Sequence, residues 1–159
     1  MKLFPVVCVI TALALGQATK TTTTTQTSTA KSTAARTIEF VTGDTMKFDK
    51  TEITARPGET LRIVVKNTGA MPKLAMAHNF VLLKPGTDQV EFNTAAFSAR
   101  ETDFIPPAMK TAVIANTALA GAGETVEVTF KAPAAGTYNF LCSFPGHFAL
   151  GMRGTLTVK

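Results

Sequence analysis

Cys142, His147 and Met152 follow one another at five-residue steps in CSFPGHFALGM, and His78 stands far upstream in MAHNFVLL. His78 and His147 are the only two histidines of the 159-residue chain. A thiolate, two imidazoles and a thioether form a soft donor set that suits a trigonal copper site with one long axial bond. Each residue alone says little. A buried cysteine is commonly a small hydrophobe, a methionine is commonly core filler, and a histidine beside an apolar strand is commonly structural. Their joint placement implies one copper ion per chain, cycling between Cu(I) and Cu(II).

The second cysteine, Cys8, lies in an apolar run from Leu3 to Leu15 that follows the single charge of Lys2. Small residues come next, so residues 1–18 read as a secretory signal cleaved near Gly16 or Ala18. The run is short for a transmembrane helix; retained, it would anchor the chain to a membrane. Cleavage leaves Cys142 alone in an exported, periplasmic or otherwise extracytoplasmic protein. An odd cysteine there cannot close an internal disulfide, which leaves intermolecular pairing, a free thiol or a metal. Residues 19–35, TKTTTTTQTSTAKSTAA, hold no large apolar side chain and read as a disordered linker, a tether or a glycosylated stalk.

The domain to be folded is therefore 36–159. The whole chain has 16 basic and 11 acidic residues, but Lys2, Lys20 and Lys31 precede the domain, leaving 13 basic against 11 acidic. That near-balance gives no footprint for nucleic acid, and no basic amphipathic helix suggests a lipid surface.

The elements that must position the donors read as β. In TLRIVVKN, Leu61, Ile63 and Val65 share one parity and Arg62 and Lys66 the other. In TVEVTF, Val126, Val128 and Phe130 alternate with Glu127 and Thr129, and GTLTVK turns Leu156 and Val158 inward. Further strands are expected at 37–41, 51–55, 80–83, 113–115 and 137–142. Turn signals punctuate them at Pro57-Gly58, Asn67-Thr68-Gly69, Pro85-Gly86, 121–123 and 133–136. About eight short strands argue an all-β, Greek-key sandwich. Asp88 to Ala99 lacks alternation and reads as a short helical excursion. Cys142 continues the inward parity of Tyr138 and Phe140, so its sulfur points into one end of the sandwich. Ser143 to Gly146 then turn the chain and bring His147 and Met152 back toward it.

MAHNFVLL and CSFPGHFALGMRGTLTVK, together with VIANTALAGAGETVEVTF, resemble the corresponding segments of azurins and auracyanins, within the plastocyanin/azurin cupredoxins. The likeness extends over most of residues 37–159. It implies a type 1 copper site and one-electron transfer, with His78, Cys142, His147 and Met152 as ligands. It also implies that Asn79 ties the two ligand loops together, with Phe144 packed behind the ligands. Three departures mark the chain. Four residues, Phe148 to Gly151, separate His147 from Met152, as in plastocyanins and auracyanins, where azurins usually have three. Ala77 stands where azurins place the glycine whose carbonyl approaches copper, which leaves a fifth contact open. The azurin disulfide has no cysteine pair to form it.

On this reading His147 presents its ring edge through an apolar patch of Met76, Phe144, Pro145, Phe148 and Ala149, a docking surface for transient redox partners of a monomer. Copper enzymes such as oxidases or nitrite reductases need a second, imidazole-rich centre, and both histidines are already committed, so an electron carrier is expected rather than an enzyme. A copper-delivery protein would want an exposed, exchangeable site. A metal-free adhesion sandwich gives no reason for the clustered donors.

Overall fold

The computed structural model describes residues 34–159. The expected signal segment with Cys8, and nearly all of the 19–35 linker, lie outside the described residues. Among the described residues no helix is long and apolar enough to cross a membrane.

Eight strands form two facing sheets. The first holds β1 (Arg36–Thr42), β3 (Thr60–Asn67) and β6 (Thr125–Lys131) in the order β1-β3-β6. The second holds β2 (Glu52–Ala55), β4 (Val81–Leu83), β5 (Val113–Asn116), β7 (Gly136–Leu141) and β8 (Arg153–Val158) in the order β2-β8-β7-β4-β5. β1 lies parallel to β3, with Arg36 opposite Leu61 and Thr42 opposite Asn67. β2 lies parallel to β8, and β7 and β8 are antiparallel neighbours.

The period-two pattern governs burial. Leu61, Ile63, Val65, Phe140 and Leu156 are fully buried and meet Phe40, Phe80, Cys142 and Met152 in one core. Rings pack tightly at its centre, with Phe80 and Phe140 centroids 5.1 Å apart and Phe40 and Phe140 5.5 Å apart. Val126, Val128 and Phe130 are only half-buried because β6 is an edge strand. Val64 is the exception to the parity: it is buried between Glu39 and Glu127 on the outward register.

β4 is buried on both faces, which alternation alone does not explain. Its second face belongs to a smaller core of Val81, Leu83, Phe92, Ile105, Leu141 and Phe148. The helical excursion covers that face. α1 spans Gln89–Ala96; the Asp88 carboxylate caps it by accepting from the amides of Val90 at 2.8 Å and Glu91 at 3.0 Å, and Phe92 turns inward. Two 3₁₀ turns, Arg100–Thr102 and Pro107–Ala112, complete the cover.

Candidate metal centre

His78 is fixed by its backbone. It makes an isolated antiparallel bridge with Ala120: the His78 amide donates to the Ala120 carbonyl at 3.0 Å, and the Ala120 amide donates to the His78 carbonyl at 2.8 Å. The Asn67 side chain donates to that same Ala120 carbonyl at 3.1 Å, which ties the bridge to the end of β3.

The other donors occupy the connection between β7 and β8. Cys142 lies one residue beyond β7, and its amide donates to the Met152 carbonyl at 3.0 Å, so the ladder continues past the named strands. Gly146, at φ 85°, makes the bend that a side chain would oppose. His147 donates back to Phe144 at 3.2 Å, and Met152 donates to His147 at 3.0 Å. The loop thus closes on itself through main-chain bonds.

The sequence expectation that the donors converge is met for three of them by direct distance. Ligand atoms of His78, Cys142 and His147 all lie within 4.8 Å of one another, and all three residues are buried. Cys142 Sγ and His147 Nδ1 are 3.5 Å apart, and the two imidazole centroids are 4.9 Å apart. Met152 is fully buried in the same core as Ala77, Phe144 and Cys142.

Burial sets the charge state. The Cys142 thiol is pushed up to about 12, because burial outweighs the backbone amides of Asn79 and Phe144 directed at the sulfur. His147 is pushed down to about 4 by burial and then by the neighbouring His78. His78 is lowered by burial as well, opposed in part by the nearby Gly43 carbonyl and the Asp44 charge. The site is therefore neutral near pH 7, with imidazoles in the form that binds a metal.

Both ring nitrogens of His78 are buried without a hydrogen-bond partner. Leaving buried polar atoms unpaired costs on the order of 1–3 kcal/mol each; a cation bound between the rings and the thiolate would satisfy one of the two nitrogens and leave the other to the nearby Gly43 carbonyl. The donor set thus fits copper: two neutral imidazoles, one ionisable sulfur and little access for water.

Asn79 is fully buried and braces the two ligand segments. Its Nδ2 donates to Ser143 Oγ at 2.9 Å and to the Asp103 carbonyl at 3.1 Å, and its Oδ1 accepts from the Ser143 amide at 2.9 Å. Phe144 packs on His147, with centroids 4.8 Å apart, and meets the Phe104 ring edge-on at 5.1 Å. Sequence reasoning passed over Ser143 and Asp103. A polar residue directly after the candidate ligand Cys142 was the available signal for Ser143; the Asp103 contact depends on a left-handed backbone at Asp103 and Phe104, φ 53° and 59°, that no local motif announces.

The apolar patch needs correction. Phe148 is only 6% exposed and belongs to the smaller core, with the Arg153 guanidinium 4.8 Å above its ring. Phe144 is also buried, and His147 itself is 2% exposed. Phe148 is drawn inward because β4 and β7 bury their second faces. Pro145 and Met76 are half-buried and Ala149 is exposed. The large apolar side chains that do reach the surface from the ligand segments are Met71, Leu74 at 79% and Leu150 at 52%.

A two-sheet sandwich with a buried His–Cys–His cluster at one end defines a cupredoxin. The chain belongs to the plastocyanin/azurin family of copper-binding proteins, whose pattern matches residues 34–159. It is 43% identical to Auracyanin-A of Chloroflexus aurantiacus over 118 residues, covering 74% of this chain and 70% of that protein. It is 39% identical to an azurin of Pseudomonas fluorescens biotype C over 123 residues, covering 73% and 92% respectively. The solved structure of auracyanin A, described as a "blue" copper protein from the same Chloroflexus, superposes with a TM-score of 0.71 at 42% identity, covering 79% of this chain and all of that one.

Proposed function

We propose that the protein is an exported electron carrier whose one copper ion is held by His78, Cys142 and His147, with Met152 as the weak axial ligand. The observation that carries this reading is the buried, unpartnered imidazole of His78 beside a buried thiol and a second neutral imidazole. Ala77 is left outside the ligand set. Copper supplies the one-electron Cu(II)/Cu(I) couple when bound.

The residues of the chain supply the rest. The Cys142 thiolate would offset one unit of the ion's charge, so the site would change between net charges of about +1 and zero in a dry pocket. His147 and His78 remain neutral, and no proton has to move with the electron. The Asn79–Ser143 brace and the hydrogen-bonded ligand loop hold the donors in place, which keeps rearrangement on electron transfer small. Met71, Leu74, Ala149 and Leu150, exposed on the segments that carry His78 and His147, offer an apolar contact for a redox partner, the small and transient kind of interface such exchange uses.

Enclosed donors argue against copper delivery, which needs an exchangeable site. The protein is taken to act outside the cytoplasm as a monomer, with residues 1–18 as its signal and 19–35 as a linker. A membrane contact arises only if the N-terminal segment is retained. The test is a redox titration of the copper-loaded protein followed by absorption. An intense blue band that bleaches with one electron per copper is expected; a colourless Cu(II) form that exchanges metal rapidly would replace this reading with delivery.

A further inference from the structure

The loop between β1 and β2, residues 43–51, reaches both ligand segments. On the His78 side, Gly43 and Asp44 lie close enough to act on the imidazole. The Asp44 carboxylate accepts from the amides of Ala70 at 3.0 Å and Met71 at 3.4 Å, in the segment that leads to His78. On the other side, Lys47 Nζ donates to the Leu150 carbonyl at 3.0 Å, across 103 residues of sequence. The same nitrogen stands 3.7 Å from where a Cβ on Gly151 would be. Leu150 and Gly151 are the residues immediately before Met152. The turn that aims Lys47 is held by Met46 in a left-handed conformation, φ 54°, with its amide donating to Gly43 at 3.1 Å. A long side chain in that region is uncommon and persists where surrounding contacts over-determine it. Among the described residues Lys47 has no carboxylate in salt-bridge contact.

We propose that Lys47 is a positioning and potential-setting residue for the copper site, its ammonium pinning the Leu150 carbonyl and so the approach of Met152. The proposal rests on the copper reading above. The clamp is a charge-assisted bond, roughly twice as strong as a neutral one. Two residues of chain span at most about 7 Å, so the bonded carbonyl is near Met152, within the ~10 Å screening length at 0.1 M salt. Reduction removes one positive charge from the site. A fixed cation nearby therefore favours the reduced form and raises the potential.

Three variants separate the two effects in the full-length, copper-loaded protein. Lys47→Met removes bond and charge, Lys47→Gln keeps a donor without charge, and Lys47→Arg keeps both. Lys47→Met is expected to lower the potential, shift the thiolate absorption band and lose copper to a chelator several-fold faster. Lys47→Gln keeps the band and the copper but still lowers the potential, and that difference shrinks as ionic strength rises. Lys47→Arg restores all three. If Lys47→Met matches the parent in band and potential, or moves only the melting temperature, the proposal is overturned. A parent protein with no blue band would instead overturn the copper assignment on which it rests.

Discussion

Copper loading at neutral pH should release one proton per ion, and that proton should come from Cys142. The thiol is held at about 12 by burial, so at pH 7 its ionisation in the metal-free protein is unfavourable by about five pH units, or about 7 kcal/mol. Copper must supply that energy, because the thiolate is the ligand. The imidazoles contribute nothing to the count: His147 is held at about 4 and His78 is also lowered, so both are neutral beforehand. Calorimetric titrations in two buffers of different ionisation enthalpy count the proton directly, and apparent affinity should rise about tenfold per pH unit between about pH 7 and pH 9. A count near zero would mean that the sulfur is already ionised; a count near two would mean that an imidazole is charged. Either result refutes the neutral-site argument. The same shift sets the alkaline stability of the metal-free protein. With the thiol raised from 9.0 to about 12 in the fold, the unfolded chain releases its proton first. In that window the unfolded state binds fewer protons, so stability declines as pH rises, by about 1.4 kcal/mol per unit.

Asn79→Leu keeps the branching at Cγ but strands the Ser143 amide and the Asp103 carbonyl, both now served by Asn79. The metal-free protein should lose about 3–5 kcal/mol in urea unfolding; a loss below about 1 kcal/mol would show that the brace is not used. For Met152→Leu, the blue band should persist and the reduction potential should rise, because a thioether that favours Cu(II) is replaced by an alkyl group. Complete loss of copper in that variant would remove Met152 from its axial role.

Strand parity and the donor census were legible because both are local or countable. Tyr138, Phe140 and Cys142 face inward as their spacing required, and two histidines with one cysteine among residues 34–159 left few arrangements for a metal. The helical excursion after Asp88 could be found by its lack of alternation. Its purpose could not: β4 and β7 bury a second face through Val81, Leu83 and Leu141, and that demand is visible only once the strands are paired. Phe148 was misplaced for the same reason, since a phenylalanine next to a ligand looks the same in sequence whether it faces a partner or a second core. Asn79 and Ser143, 64 residues apart, met their expected and unexpected roles through one amide whose partners are tertiary neighbours.

The direction of β1 also decides how the domain is presented. Thr42 pairs with Asn67, whose side chain reaches the bridge that holds His78, whereas Arg36 pairs with Leu61 at the other end of the strand. Six strand steps, about 20 Å, separate those ends. The first described residues consequently stand at the far pole of the sandwich from His78. An attachment made at Ala34 would therefore leave the ligand end of the sandwich facing away from it, about 20 Å distant along β1.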